Sequence, residues 1–511
     1  MVRAATKYGE IKGKKKDGYI VFRGIPYAEP PVGELRFRPP KEPKPWDGIL
    51  DCTKFGAPAL QPFAVSHVPQ VNLLKNSSED CLYLNISTPA VKECEGVSGG
   101  TDEMPDEGAK LPVYIFIHGG AYETGGGNMP LYRGENFVKN GIVYVNINYR
   151  MSAFGFMALE ELQRESGVTG NYGVLDALQA VRWVHENIAS FGGDPDNITV
   201  GGESAGAFTT SILMGMKEAA GLFHRCILES GSIVGLSHVA RYGAGNPQIY
   251  LEKSREIASD LGASDSAEGI KLLRSLPAEE IIRAWFFKKN GEHRGMRSDP
   301  ILSGLLFDGD QAPNPRKHHI NDVDLLFGFN TDEGTIFSDK QLTTEGYREH
   351  LKMVYADKAE EIYEKYPDDE NHTPFHQLAD VIGLSSFKAS MVPYGDRLAD
   401  MGKKVYGYHF AYLTERLRNE GFGCRHIAEL NFVFHKDLKF VSDDDEQDAK
   451  VAEFMNQSWC NFIRTGNPGE QWPRYDSSSK MMLRIDENPR AEKMDREDEI
   501  TDFEKMLLRE E

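Results

Sequence analysis

The stretch Ile198-Thr-Val-Gly-Gly-Glu-Ser-Ala-Gly206 constrains this chain more than any other. A short β-branched strand runs into Gly202-Glu203-Ser204-Ala205-Gly206, and a helical run follows through Met216. A chain that passes from strand to helix in so few residues must turn sharply. Glycines two residues either side of Ser204 remove Cβ atoms that would collide there. The turn lifts the Ser204 hydroxyl clear of the sheet, and the new helix aims its free N–H groups towards it. This is the context in which G-x-S-x-G makes a nucleophilic serine. The same five residues also fit a plain glycine-rich turn, so the test is whether partners for Ser204 exist elsewhere.

The flanking sequence supplies a sheet for that turn. Residues 113–117 and 142–147 are continuous apolar runs of strand length, as in a sheet covered on both faces. Residues 82–86 alternate as a strand, and 7–23 read as a hairpin around Lys-Lys-Asp-Gly. Apolar positions recur at helical spacing over 173–190, and Phe191-Gly-Gly-Asp-Pro-Asp stops that helix. Further strands are expected at 226–228, 325–329, 405–410 and 481–485, with helices near 445–464 and at the C-terminus. Residues 91–110, acidic and glycine-rich, are expected to form a solvated loop. Residues 235–300 and 340–400 read mostly as amphipathic helices. Buried strands alternating with helices predict an α/β protein with a large, mostly parallel mixed sheet. Without a repeat or linker, residues 1–511 are expected to form a single domain, with helical cap-like regions near 235–320 and 340–400.

Hydrophobic residues at 40% and charged residues at 27% describe a soluble globular chain. The net charge of −20 argues against nucleic acid or an anionic membrane as partner. The N-terminus lacks an apolar signal segment, and no apolar run is long enough to span a bilayer. The six cysteines are scattered without C-x-x-C spacing, which predicts free thiols and a cytoplasmic protein. His185-Glu186 lacks the second histidine of H-E-x-x-H, and no phosphate-binding loop motif is present. No metal or other cofactor is expected.

A neutral serine needs a base, and a histidine base needs a carboxylate to hold its tautomer. In a sheet of this kind they follow in the order serine, acid, histidine. Asn330-Thr-Asp-Glu-Gly334 places two carboxylates just past a strand, and Gly334 lets the chain turn there. Asp332 and Glu333 both qualify by position. His426 lies in a loop before the apolar run 430–434. Its rivals are His435, His318 and His319. His118-Gly119-Gly120-Ala121, directly after a buried strand, resembles a glycine-rich oxyanion loop. The N–H groups of Gly119 and Gly120, with that of Ala205, are the candidate donors.

Seven stretches between residues 24 and 468 carry a wider resemblance: GIPYAEPPVGELRF, SEDCLYLNI, IHGGAY, NYGVLDALQAVRWVHENIASFGGDPDNITVGGESAG, NTDEG, GCRHIAELNFVF and TGNP. The chain resembles the type-B carboxylesterases of the α/β-hydrolase fold, the family that includes cholinesterases and bacterial para-nitrobenzyl esterases. The resemblance implies Ser204 as nucleophile, Glu333 rather than Asp332 as acid, and His426 as base. It implies an oxyanion hole of Gly119, Gly120 and Ala205, with Glu203 and Ser230 in support. It also implies structural ion pairs Arg36–Glu79 and Arg150–Asp176.

The departures narrow the expectation. Cys81 has no cysteine partner in Gly56-Ala-Pro-Ala-Leu-Gln61, and Cys52 lies several residues early, so the disulfide of secreted members is not expected. Residues 60–80 hold no tryptophan to stack on choline. Tyr122 replaces the commoner phenylalanine near the pocket mouth. The implied activity is hydrolysis of uncharged, small to medium carboxylic esters through an acyl-enzyme, by a monomer or weak homo-oligomer. Amide, carbamate or thioester hydrolysis by the same residues is the alternative. A non-catalytic interaction protein of the same fold is disfavoured by the retained Ser204, Glu333 and His426.

Overall fold

The computed structural model describes residues 2–61, 76–95, 101–236, 247–294, 298–301, 314–435 and 446–508. The chain divides into two compact units. The first holds Met1–Gly201, Glu218–His224 and Gly243–Leu306, and the second holds Gly202–Lys217, Arg225–Tyr242 and Phe307–Glu511.

The strands of the first unit are β1 (Val2–Thr6), β2 (Gly9–Lys16), β3 (Tyr19–Pro26), β4 (Ile49–Asp51), β5 (Tyr83–Thr88), β6 (Lys92–Glu95), β7 (Thr101–Met104), β8 (Leu111–Ile117), β9 (Val143–Ile147) and β10 (Gly193–Glu203). They lie in the order β10, β8, β9, β5, β3, β2, β1, β7, β6, with β4 beside β2. β8 and β9 run parallel, Val113 facing Val143, while β5 is antiparallel to β9. The expected hairpin forms: Lys16 faces Tyr19, leaving Asp17-Gly18 as its turn. Val113 through Ile117 are fully buried, as a sheet covered on both faces requires. Val174, Leu178, Val181 and Val184 of the helix Tyr172–Asn187 are likewise buried.

The acidic stretch 91–110 departs from expectation. It contains β6 and β7, antiparallel with Glu93 facing Glu103, and β7 meets β1 through Val2 and Glu103. Neither strand carries alternating apolar residues. They are ordered by backbone pairing, which a hydrophobic pattern cannot report. Residues 96–100 lie outside the described residues, as do 62–75 of the tryptophan-free loop and 237–246, 295–297 and 302–313 of the first helical region. The remainder of that region forms the helices Pro247–Asp260, Ala267–Ser275 and Ala278–Phe286.

Both implied ion pairs are present. Arg150 Nε and Nη2 meet Asp176 at 2.7 Å each, and the Arg150 amide donates to the same carboxylate at 3.0 Å. The two side chains are 2% and 0% exposed, so each charge depends on the other. Arg36 grips Glu79 through Nε and Nη2 at 2.7 and 2.6 Å. Its Nη1 also donates to the carbonyls of Leu273 and Leu276, at the end of the helix Ala267–Ser275. A cation there satisfies carbonyls that the helix itself leaves open.

In the second unit β11 (Arg225–Glu229), β12 (Asp324–Asn330), β13 (Val405–Phe410) and β14 (Met481–Ile485) form a parallel ladder, closed by antiparallel β15 (Arg490–Lys493). Asn330 faces Phe410, so β12 and β13 end at a common level, while β11 ends at Glu229, opposite Gly328. Helices Ala205–Gly215, Ala389–Asp400 and Glu446–Thr465 accompany them. The second helical region comprises Thr344–Tyr355, Ala359–Lys365, Pro374–Ile382 and a π-helical turn at Gly383–Lys388. Cys52, Cys81, Cys226, Cys424 and Cys460 are buried free thiols. Among the described residues no helix is long and apolar enough to cross a membrane.

Asp176→Ala would strand a buried guanidinium. Denaturant unfolding is expected to show a loss of about 3–5 kcal/mol; a loss under about 1 kcal/mol would mean that Arg150 finds another partner.

Candidate active site

The chemistry-bearing residues of the second unit follow strand ends. β10, whose last two residues Gly202 and Glu203 belong to this unit, stops at Glu203 and the helix Ala205–Gly215 starts at once, leaving Ser204 between them at φ 55° and ψ −124°. Positive φ is strained for a residue with a Cβ and persists only where the surroundings impose it. Two backbone bonds do so here. The Ser204 amide donates to the Glu229 carbonyl at 3.0 Å, and the Ser204 carbonyl accepts from the Phe208 amide at 2.9 Å. Glu203 and Ala205 on either side are buried, while Ser204 is partly exposed.

β12 delivers the carboxylates. Glu333 is fully buried, and its Oε2 lies 2.6 Å from Nδ1 of His426. Its Oε1 accepts from the Asn330 amide and the Ser230 hydroxyl, both at 2.7 Å. These bonds orient the carboxylate towards the imidazole. Asp332 faces elsewhere: its Oδ2 accepts from the Cys424 amide at 2.7 Å, and its own amide donates to the Cys424 carbonyl at 3.0 Å. Asp332 thus fastens its own loop to the one that carries His426. Gly334 has an ordinary φ of −82°, so it is not needed for a left-handed turn. Its Cβ would sit 1.8 Å from the Ala379 carbonyl oxygen, and that close approach to the helix Pro374–Ile382 demands glycine.

His426 is 2% exposed. Its ring lies against Phe387 and Phe337, at centroid distances of 4.5 and 5.3 Å. Nδ1 faces Glu333, and Nε2 lies 3.0 Å from Oε1 of Glu203. Burial pulls the imidazole pKa down, but the carboxylates of Glu203 and Glu333 outweigh it and push it up to about 10. Burial, and the charge of Glu333, raise Glu203 as well, against the opposing pull of His426.

Glu429 was not singled out by motif. It lies three residues after His426, fully buried, and Ser230 Oγ stands 3.1 Å from its Oε1 and 2.7 Å from Glu333. One hydroxyl proton cannot serve two carboxylates. Burial, then Glu333 and Glu203, push Glu429 up to about 8, so at neutral pH it is protonated and donates to Ser230, which donates to Glu333. Asn330 Nδ2 also bonds Glu429. Glu229, buried behind them, accepts from Trp459 Nε1 at 3.0 Å, and burial raises it well above the ordinary carboxyl range. The signal for Glu429 was its i+3 spacing from His426, but an acidic residue in an apolar run has meaning only once its neighbours are known.

The rival histidines have other partners. His435 pairs with Glu453 at 3.2 Å, His318 accepts from the Asn314 amide, and His319 meets Asn321. Gly119 and Gly120 follow β8 in the first unit. Gly120 has φ 108°, and a Cβ on it would lie 2.1 Å from the Thr124 carbonyl oxygen. Tyr122 is buried against Phe156, with ring centroids 5.0 Å apart. Among the described residues no group of three His, Cys, Asp or Glu is placed to hold a metal ion.

The raised pKa values have one sign. A folded chain that keeps protons on Glu429 and His426 holds protons the unfolded chain would release. The His426 contribution is complete below about pH 6.5 and is lost as pH rises through about 10; that of Glu429 is lost between about pH 4.3 and 8. Thermal melts are therefore expected to fall as pH rises from about 6 to 9. Glu429→Gln, an isostere of the protonated acid, should flatten the fall, and an unchanged slope would remove Glu429 from the account. Glu203→Gln should move the His426 titration, followed by NMR, to lower pH.

The carboxylesterase family model matches residues 2–503. The chain is 30% identical to the para-nitrobenzyl esterase of Bacillus subtilis (strain 168), over 94% of each chain. It is 30% identical to the phenmedipham hydrolase of Pseudarthrobacter oxydans, again over 94% of each. Against the fumonisin B1 esterase of Sphingopyxis macrogoltabida it is 31% identical, over 93% of this chain and 85% of that one. Among solved structures it is similar to a PNB esterase at a TM-score of 0.78 and 26% identity, over 98% of this chain and 99% of that one. It is similar to a carboxylesterase of Geobacillus stearothermophilus at a TM-score of 0.79 and 31% identity, with the same coverage. The chain belongs to the carboxylesterase family, and with it to the carboxylic ester hydrolases of the α/β-hydrolase fold.

Proposed function

We propose that Ser204, His426 and Glu333 form the catalytic triad of a serine carboxylesterase acting on uncharged, small to medium esters. One observation carries the reading: a strained, partly exposed serine at a strand-to-helix turn shares its unit with a buried imidazole 2.6 Å from a buried carboxylate. The base is the neutral form of His426, which the raised pKa makes the minor form at neutral pH; it takes the Ser204 proton as the hydroxyl oxygen attacks the ester carbonyl. Glu333 fixes the ring with Nδ1 protonated and stabilises the imidazolium. His426 then protonates the departing alcohol, and the acyl-enzyme is hydrolysed by water that His426 activates. The Ala205 amide, first of its helix, is a donor to the developing oxyanion; for Gly119 and Gly120 the same role rests on their sequence motif. Glu203 and Ser230 support the imidazole and the acid, respectively. No step calls for a cofactor. The buried free thiols support a cytoplasmic setting, and the continuous family match supports one domain with helical caps. A monomer or weak homo-oligomer is the proposed state.

Turnover of p-nitrophenyl acetate and butyrate tests the nucleophile. Ser204→Ala should lose about 10⁴-fold or more in kcat and no longer be labelled by an organophosphate probe; equal turnover by variant and wild type would reject the mechanism. Glu333→Gln should lose about 10³–10⁴-fold, while Asp332→Asn stays within about tenfold of wild type. The reverse order would transfer the acid role to Asp332. Amide, carbamate and thioester congeners in the same panel set the range of acyl chemistry.

A further inference from the structure

Among the described residues the first unit holds two arginines that form no ion pair, in a chain with 78 acidic and 58 basic residues. Arg23 lies on β3, and Arg133 follows the short turn Pro130–Tyr132. Both guanidinium groups rest on the ring of Phe55, their central carbons 4.3 and 5.5 Å from its centroid. Among the described residues neither side chain forms an ion pair or a hydrogen bond, and Arg133 Nε is buried without an acceptor. Glu135 lines the same pocket. Carboxylates are in surplus, so the missing partner is a property of this place and not of supply.

Two like charges that share one ring repel each other. Burial, and then the charge of Arg133, hold the Arg23 pKa below its ordinary value. Stacking on Phe55 keeps both groups from swinging away into water. The pocket they line is small, about 20 Å³, and is also lined by Tyr19, Ser87, Asn146 and Glu135. Guanidinium forks with free N–H groups, beside hydroxyl and amide donors, match the geometry of an anion with several acceptor oxygens. A dianion would cancel both charges at once, which a single carboxylate cannot.

From this we infer that Arg23 and Arg133 form a binding site for a small tetrahedral oxyanion, either free phosphate or the phosphate of a small monoester. The site is independent of Ser204 and of the hydrolytic reading. Titration calorimetry and thermal melts of the full chain with inorganic phosphate, with phenyl phosphate, and with sodium chloride at matched ionic strength test it. Phosphate should bind and raise the Tm beyond the chloride control, and Arg23→Met and Arg133→Met should each weaken binding about tenfold or more while ester turnover is unchanged. Tighter binding of phenyl phosphate would identify a monoester, and equal or weaker binding the free ion. Peptide mapping of the wild type after phenylglyoxal treatment should show phosphate protecting both arginines, a readout that needs no variant. No stabilisation beyond chloride, unchanged affinity in both variants, or no protection would overturn the assignment.

Discussion

The second unit depends on keeping one imidazole ionisable among buried carboxyl groups. His426 touches Glu333 through Nδ1 and approaches Glu203 through Nε2. Glu429 and Glu229 lie just behind. Four ionised carboxylates cannot share so small a volume away from water. Protons must be held on some of them, and the hydrogen bonds decide which. Glu333 receives two donated bonds besides the imidazole and remains the acceptor. Glu429 instead becomes a donor, through Ser230. The polar core behind the histidine is therefore a directed chain, and its order sets the charge that the imidazole feels.

Backbone geometry puts the chain of bonds in place. β11, β12 and β13 run parallel and in register, so the segments after Glu229 and Asn330 leave the sheet side by side. Ser230 follows β11 directly, and Glu333 comes three residues after β12. Loops at the carboxyl ends of parallel strands are where such folds concentrate their chemistry. His426 arrives later, after the short helix Glu415–Glu420, and its loop is tied to the acid loop by the Asp332–Cys424 bonds. The residue beside the acid is thus structural in this geometry. The rings of buried Phe387 and exposed Phe337 complete the imidazole's walls.

Much of this was legible in the residues themselves. Strand and helix periods located the buried strands, the helix before the serine turn and the turn itself, because burial on one or both faces writes directly into sequence. The β6–β7 pair was not legible, since it is ordered by main-chain bonds between polar residues. Gly334 was legible as necessary but not for the right reason: the constraint is the Ala379 carbonyl, far along the chain. Glu429 was invisible for a similar cause. Its role comes from Ser230 and Asn330, both distant in sequence.

What the sequence alone determined is the set of residue types, their order along the chain and the local backbone each prefers, because these follow from side-chain sterics and hydrophobic period. Which of two adjacent carboxylates meets the imidazole, which carboxyl keeps its proton and which arginines form no ion pair among the described residues were decided only by the tertiary structure. Those outcomes depend on distances of a few ångströms and on loss of water between groups far apart in the chain, and neither quantity exists until the chain has folded.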